Sequence, residues 1–155
     1  MKYIAWLLLG SALLLCTACY TEKNPLDGIA TVGGPVALVR TFTVTNPANN
    51  TEVSTLTAAA GTALRLTVTY TTLDVPVTEV NLYRQDGTRR IKVSSVSVNV
   101  APSANRVAQT FTYTVPAGTA ANTRIFLLAG VVTAHGESFS GTGVSGAGTV
   151  IITVR

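Results

Sequence analysis

The amino-acid sequence predicts an all-β fold, and three features of its 155 residues support this prediction. Threonine occurs 25 times, and the β-branched side chains of threonine and valine favour a pleated sheet over a helix. Hydrophobic residues make up 47% of the chain and charged residues only 12%, which excludes a chain disordered by high charge. Apolar and polar residues alternate along several segments, whereas no segment has the apolar period of a helix.

The N-terminus carries an apolar run of the kind that directs secretion. Lys2 precedes apolar residues from Tyr3 to Leu15, interrupted only by Gly10 and Ser11. A bilayer core about 30 Å thick requires roughly 20 apolar residues in a helix, so this run is too short to span it. Its length is typical of the hydrophobic region of a signal peptide.

Small residues and a cysteine end the apolar run. Thr17 and Ala18 precede Cys19, and this junction resembles the lipobox of bacterial lipoproteins, which are cleaved before a cysteine that carries a diacylglycerol. The resemblance implies a signal peptide over residues 1–18 and acyl chains, such as palmitate, on Cys19. The alternative is an ordinary secretory cleavage that leaves Cys19 as a free thiol.

A predicted tether covers residues 19–35. Asn24, Pro25 and Gly28 interrupt any periodicity there, and a flexible chain of about 16 residues spans roughly 20–24 Å. In enterobacterial lipoproteins, which this N-terminus resembles, an aspartate directly after the lipidated cysteine retains the protein at the inner membrane. This chain has Tyr20 at that position. We therefore expect a lipid-anchored protein of a bacterial cell envelope, held at the outer membrane through Cys19.

The first four predicted strands cover residues 36–45, 63–72, 77–84 and 89–100. The second has a two-residue apolar period without exception, carried by Leu64, Leu66, Val68 and Tyr70. Asp86-Gly87 predicts the turn between the third and fourth strands. Within the fourth strand the apolar parity changes, which predicts a bulge near Ser94-Ser95.

The last three predicted strands cover residues 106–115, 123–134 and 148–154. The first alternates apolar residues with threonine, as half-buried strands do. Residues 123–134 are apolar on both parities, so we expect this strand to be central in its sheet or to pack one face on a loop. We expect Phe126 in the core beside Leu66, Val68 and Phe111.

Seven antiparallel strands spaced by roughly ten residues resemble the two-sheet sandwich of immunoglobulin and fibronectin type III domains. The resemblance is architectural and covers residues 36–155. The core Trp of antibody domains has no counterpart, because the only Trp of the chain is Trp6 in the leader. A domain of this size buries enough surface to be stable without disulfides.

Four basic residues flank the predicted turn: Arg84, Arg89, Arg90 and Lys92. Folding the hairpin concentrates their charge, and such a patch attracts anionic headgroups, acidic polysaccharide or a protein partner. The alternative is that these charges protect an edge strand from pairing with another sheet. A nucleic-acid partner is not expected, since no aromatic residues interleave with the charges.

Other motifs give weaker signals for chemistry. Residues 141–146 have the G-x-G-x-x-G spacing but no following helix pattern, which favours a loop over a nucleotide site. His135, Glu137 and Ser138 are neighbours in a loop without the context of a catalytic triad. Asp74, Glu79 and Asp86 are the carboxylates considered for Ca²⁺. We expect no metal, no cofactor and no catalytic residue.

The sequence thus predicts a non-catalytic, lipid-anchored envelope protein whose immunoglobulin-like domain serves as a binding or structural module. The competing hypothesis is a carbohydrate-active or small-ligand-carrying envelope domain. Gln109, Tyr113 and the threonine-rich faces are the residues considered for sugar. A filled core between the sheets favours the first hypothesis, and a large central cavity favours the second.

Overall fold

Two β-sheets pack face to face in the computed structural model, which describes residues 37–72, 75–141 and 147–155. The strands are β1 (Leu38–Thr45), β2 (Glu52–Val53), β3 (Thr55–Ala58), β4 (Ala63–Thr72), β5 (Val77–Asp86), β6 (Arg89–Val100), β7 (Ser103–Thr114), β8 (Arg124–Thr133), β9 (Gly136–Phe139) and β10 (Val150–Val154). Within these ranges there is no helix with the length and hydrophobicity of a membrane span.

The two sheets have the strand grouping of an immunoglobulin-like sandwich. Sheet A has the order β2-β1-β4-β7, and sheet B has the order β3-β10-β8-β5-β6. Strands β1, β4 and β7 correspond to A, B and E of the immunoglobulin fold, and β5, β8 and β10 to C, F and G. The predicted all-β sandwich class is therefore confirmed.

The core lies between the sheets and is built from the alternating apolar residues of both. Leu66, Val68 and Phe111 belong to this buried cluster, as predicted. Leu127 and Ala129 of β8 also face the core, and both are fully buried. Phe126 instead lies on the outer face of sheet B, where the Arg124 guanidinium is 5.4 Å from its ring centroid. The alternation of the pleat causes this difference, because Phe126 has the opposite parity to Leu127.

Two local predictions in the β5–β6 hairpin hold, with shifts of one residue. The two-residue loop is Gly87-Thr88, since Asp86 still pairs with Arg89. Gly87 has a φ of 56°, which glycine adopts without strain. The predicted bulge falls at Val93, the residue left between the pairs Leu82–Ser94 and Tyr83–Lys92.

The strand count and one pairing differ from the prediction. The described residues form ten strands instead of seven, because β2, β3 and β9 are short segments without a sustained apolar period. β3 pairs with β10 in parallel, whereas all pairs were expected to be antiparallel. The predicted central position of β8 is confirmed, with β5 on one side and both β9 and β10 on the other.

Candidate binding surfaces

The four basic residues of the β5–β6 hairpin lie on opposite faces of sheet B. Arg90 pairs with Gln85 and Lys92 with Tyr83, which places both cations on the outer face. Arg84 follows Leu82 on the core-facing side. Arg89 lies on the same side as Arg84, because it is the cross-strand partner of Asp86, two residues after Arg84. The hairpin therefore forms two separate basic pairs instead of one patch.

A polar and aromatic cluster on the outer face of sheet B joins β5 to β9. We call Asn81, Tyr83, Glu137 and Phe139 the outer-face cluster. Asn81 Nδ2 donates to Glu137 Oε1 over 2.8 Å, and the Tyr83 hydroxyl lies 3.0 Å from both carboxylate oxygens. The Phe139 ring meets Tyr83 edge to face, with 5.5 Å between the centroids. These contacts fix the short strand β9 against the sheet.

Two cations of β6 lie beside the aromatic rings of the outer-face cluster. The Arg90 guanidinium lies 4.1 Å from the centroid of the Phe139 ring, and Lys92 Nζ lies 6.0 Å from that of Tyr83. Lys92 also forms an ion pair of 2.9 Å with Glu79. The hydroxyl of Ser95 donates to Glu79 over 2.7 Å, and this bond, with the contact to Lys92, lowers the pKa of Glu79.

The environment of Tyr83 makes its ionisation unfavourable. Burial, together with its hydrogen bond to Glu137 and the charge of that carboxylate, raises the pKa of Tyr83 to about 12. An unfolded tyrosine has a pKa of about 10. Between these values the folded chain holds a proton that the unfolded chain loses, so stability falls as pH rises from about 10 to about 12.

We expect this alkaline loss of stability to be smaller when Tyr83 is replaced. Tyr83→Phe lowers stability at neutral pH because Glu137 loses a donor, but its stability declines less steeply above pH 10 than that of the wild type. Urea unfolding at pH 8, 10 and 12 measures both slopes. Tyr70 and Tyr113 also have raised pKa values owing to burial, and because both variants retain them, the difference isolates Tyr83. Parallel declines would contradict the role of Tyr83.

The position of β6 bears on the edge-protection hypothesis. β6 is an edge strand of sheet B, and Arg89, Arg90 and Lys92 are all exposed on it. Ile91 and Val93 on the same strand are 38% and 41% exposed. Charged side chains beside exposed apolar ones are the arrangement that discourages sheet-to-sheet pairing, so this function is compatible with the structure.

A cleft of about 240 Å³ lies at the end of the sandwich near the β5–β6 turn. Arg84 and Arg124 contribute guanidinium groups to its wall, and Asp86 contributes a carboxylate. Thr119 and Thr123 add hydroxyl groups from the segment that leads into β8. The cleft therefore combines two cations, one carboxylate and neutral polar groups, unlike the apolar core beside it.

The Tyr113 hydroxyl approaches this end of the sandwich from β7. The hydroxyl is buried, and no hydrogen bond of good geometry reaches it within the described part of the chain. Burial raises the pKa of Tyr113, and the nearby positive charge of Arg84 acts against that rise. Arg84 thus extends from the edge of the core toward the cleft. Gln109, the other residue considered for sugar, is half-buried on the same strand.

The residues considered for catalysis do not converge. Glu137 and Ser138 are consecutive in β9 and project to opposite faces, while His135 is exposed in the preceding turn. Glu137 is held by Asn81 and Tyr83 instead of by a histidine.

The candidate metal and nucleotide motifs are likewise separated or fall outside the described ranges. No group of three or more metal-ligating side chains occurs in residues 37–72, 75–141 and 147–155. Asp74 and residues 142–146 of the glycine motif lie outside those ranges, as does Cys19. The next described element after that motif is the strand β10.

Sequence reasoning missed the outer-face cluster, although one signal for it is present. Gly130 interrupts the apolar strand β8, and an interior glycine in a strand often marks a close approach by another group. A Cβ atom at Gly130 would lie 2.1 Å from Glu137 Oε1. The carboxylate thus occupies the space that a side chain at this position would fill.

Comparison with known proteins supports the fold only. No protein-family profile matches the chain, and no curated protein is significantly similar to it. A Niemann-Pick type C2 protein from the Japanese carpenter ant matches over 80% of this chain and 96% of its own, with a TM-score of 0.50 and 9% identity. The sporulation control protein Spo0M from Bacillus subtilis matches over 79% of this chain, with a TM-score of 0.46 and 12% identity. This chain spans about half (51%) of the Spo0M chain. The similarity to the Niemann-Pick type C2 protein concerns the fold alone.

Proposed function

We propose that this protein is a non-catalytic binding module of a bacterial cell envelope, anchored to the outer membrane by a lipid on Cys19. The observation that carries the proposal is the succession of an apolar leader, small residues and Cys19 ahead of a β-sandwich. Ala37, the first described residue, is already buried in the core of the sandwich. The proposed tether of residues 19–35 lies along the sequence between the leader and this domain.

The surface of the domain supports a binding role. Cations and aromatic rings are gathered on one face of sheet B, and a polar cleft opens at one end of the sandwich. Glu137 and Ser138, two of the residues considered for catalysis, project to opposite faces of β9. A lipid anchor followed by a tether holds such a domain near the membrane while leaving these surfaces accessible.

Replacing Cys19 tests the anchor directly. In a Gram-negative host, we expect Cys19→Ala to move from the membrane pellet to the soluble periplasmic or culture fraction, because burial of acyl chains contributes about 0.8 kcal/mol per CH₂ group. Labelled palmitate should enter the wild type but not the variant.

Cys16→Ala is the matched control, since it removes the other cysteine of the chain and leaves Cys19 in place. It should remain in the membrane fraction with its label. An anchor at Cys19 would be refuted by a Cys19→Ala variant that still pellets with membranes, together with a wild type that takes up no palmitate.

A further inference from the structure

The guanidinium of Arg84 lies at the edge of the core without a carboxylate partner among the described residues. Arg84 is half-buried. On the core-facing side of β5 it follows the buried residue Leu82, and its cross-strand partner on β8 is the buried residue Leu127. No carboxylate within the described residues lies within 4.0 Å of it, whereas Lys92 on the other face is paired with Glu79. A partly desolvated cation is costly unless it is paired.

The remaining groups of the cleft complement an anion that also carries hydroxyl groups. Arg124 supplies a second guanidinium at the rim, held against the Phe126 ring. Thr119 donates its hydroxyl hydrogen to the Pro116 carbonyl over 2.7 Å, which leaves its oxygen free to accept. Gln85 donates its amide to the Gly87 carbonyl over 3.0 Å, and its own oxygen is likewise available.

The size and apolar part of the cleft narrow the class of ligand. At about 30 Å³ per molecule of water, the cleft corresponds to roughly eight waters, which is below the roughly 300–1,000 Å³ of a drug-sized site. Pro116 and Ile125 form apolar wall beside the arginines. One compact ring with a carboxylate, several hydroxyl groups and an apolar face fits these features.

We infer that this cleft binds a uronic acid residue of an acidic polysaccharide, with its carboxylate on Arg84 and its hydroxyl groups on Thr119, Thr123 and Gln85. The planar guanidinium offers paired donors that match both oxygens of a carboxylate. Tyr113 lies behind Arg84 and contributes a buried hydroxyl on the inner side. This inference rests on the proposed binding role and specifies its ligand.

The carboxylate of Asp86 allows the proposed negative charge of the ligand to be tested. Its exposed carboxylate lines the same cleft, and no cation pairs with it within 4.0 Å in the described part of the chain. A carboxylate at this position repels an anionic ligand and favours those whose charge is placed on the Arg84 side. Removing this charge should therefore strengthen binding, whereas removing Arg84 should weaken it.

The experiment is calorimetric titration of the detergent-solubilised full chain with the trisaccharide of galacturonic acid. We expect binding of the acid form and none of its methyl ester. Arg84→Gln should weaken binding about 10- to 100-fold, since a charge-assisted contact is lost. Asp86→Asn should strengthen it about two- to fivefold. Arg65→Gln, an exposed arginine on sheet A, should leave it unchanged.

Four results would overturn the inference: no binding of the acid form, equal binding of the ester, unchanged affinity in Arg84→Gln, or acetate competing as well as the sugar. Arg124→Gln keeps the test valid if Arg84→Gln does not fold, because Arg124 is exposed at the rim, and it should weaken binding severalfold. Titration in detergent does not depend on the lipid, so failure here is distinct from failure of the Cys19→Ala test.

Discussion

Leu66→Ala is expected to lower the free energy of unfolding by about 2–5 kcal/mol. Leu66 is fully buried at the middle of β4, between its cross-strand partners Val44 and Phe111. Truncation removes packed methyl groups and leaves a cavity between the sheets, because neighbours on two paired strands relax only partly. Urea unfolding followed by circular dichroism measures the change.

Leu56→Ala is the matched control for this prediction. Leu56 is the same residue type but is half-buried in β3, at the edge of sheet B. Its truncation should cost no more than about 1 kcal/mol, since less area returns to water and the site is open to solvent. Equal losses in the two variants would show that the interior is not packed as described.

Much of the fold was predictable because the core imposes a simple pattern. Residues 63–72 and 89–100 were predicted with the bounds that β4 and β6 have, since burial on one face enforces alternation. β8 was recognised as central because it is covered on both faces. The position of Phe126 was not predictable, since a strand that is apolar on both parities does not indicate which parity faces the other sheet.

The candidate surfaces were less predictable because they depend on register. The basic residues around the turn were recognised, yet the pleat divides Arg84 from Arg90 and Lys92. β9 has the sequence Gly-Glu-Ser-Phe, which no apolar period marks as a strand. Its Glu137 accepts hydrogen bonds from Asn81 and Tyr83 of β5, more than fifty residues earlier in the chain. A contact between such distant segments has no local signature.

Gly130 is the residue on which this contact depends, and Gly130→Ala is expected to destabilise the domain by about 1–3 kcal/mol. The added Cβ would lie 2.1 Å from Glu137 Oε1 and 3.0 Å from Tyr83 Cε2. The flexible carboxylate can move away, but Asn81 Nδ2 and the Tyr83 hydroxyl then lose their acceptor while both residues remain buried. Unsatisfied buried donors account for the expected loss.

A double-mutant cycle with Glu137→Ala separates this mechanism from simple crowding of the strand. Glu137→Ala removes the same acceptor and leaves the space above Gly130 empty. In this background, Gly130→Ala should lower the stability only slightly, through the close contact of its Cβ with the Tyr83 ring. The sum of the losses in unfolding free energy of the two single variants should therefore exceed the loss of the double variant by at least about 1 kcal/mol. If the losses add, Glu137 does not occupy the position above Gly130 in solution, and β9 is held to sheet B by its backbone pairing with β8 and by the contact of Phe139 with Tyr83. A large coupling would instead show that the Glu137 carboxylate, which lies over Gly130, stabilises the contact between β9 and β5 in addition to the ring contact of Phe139 with Tyr83.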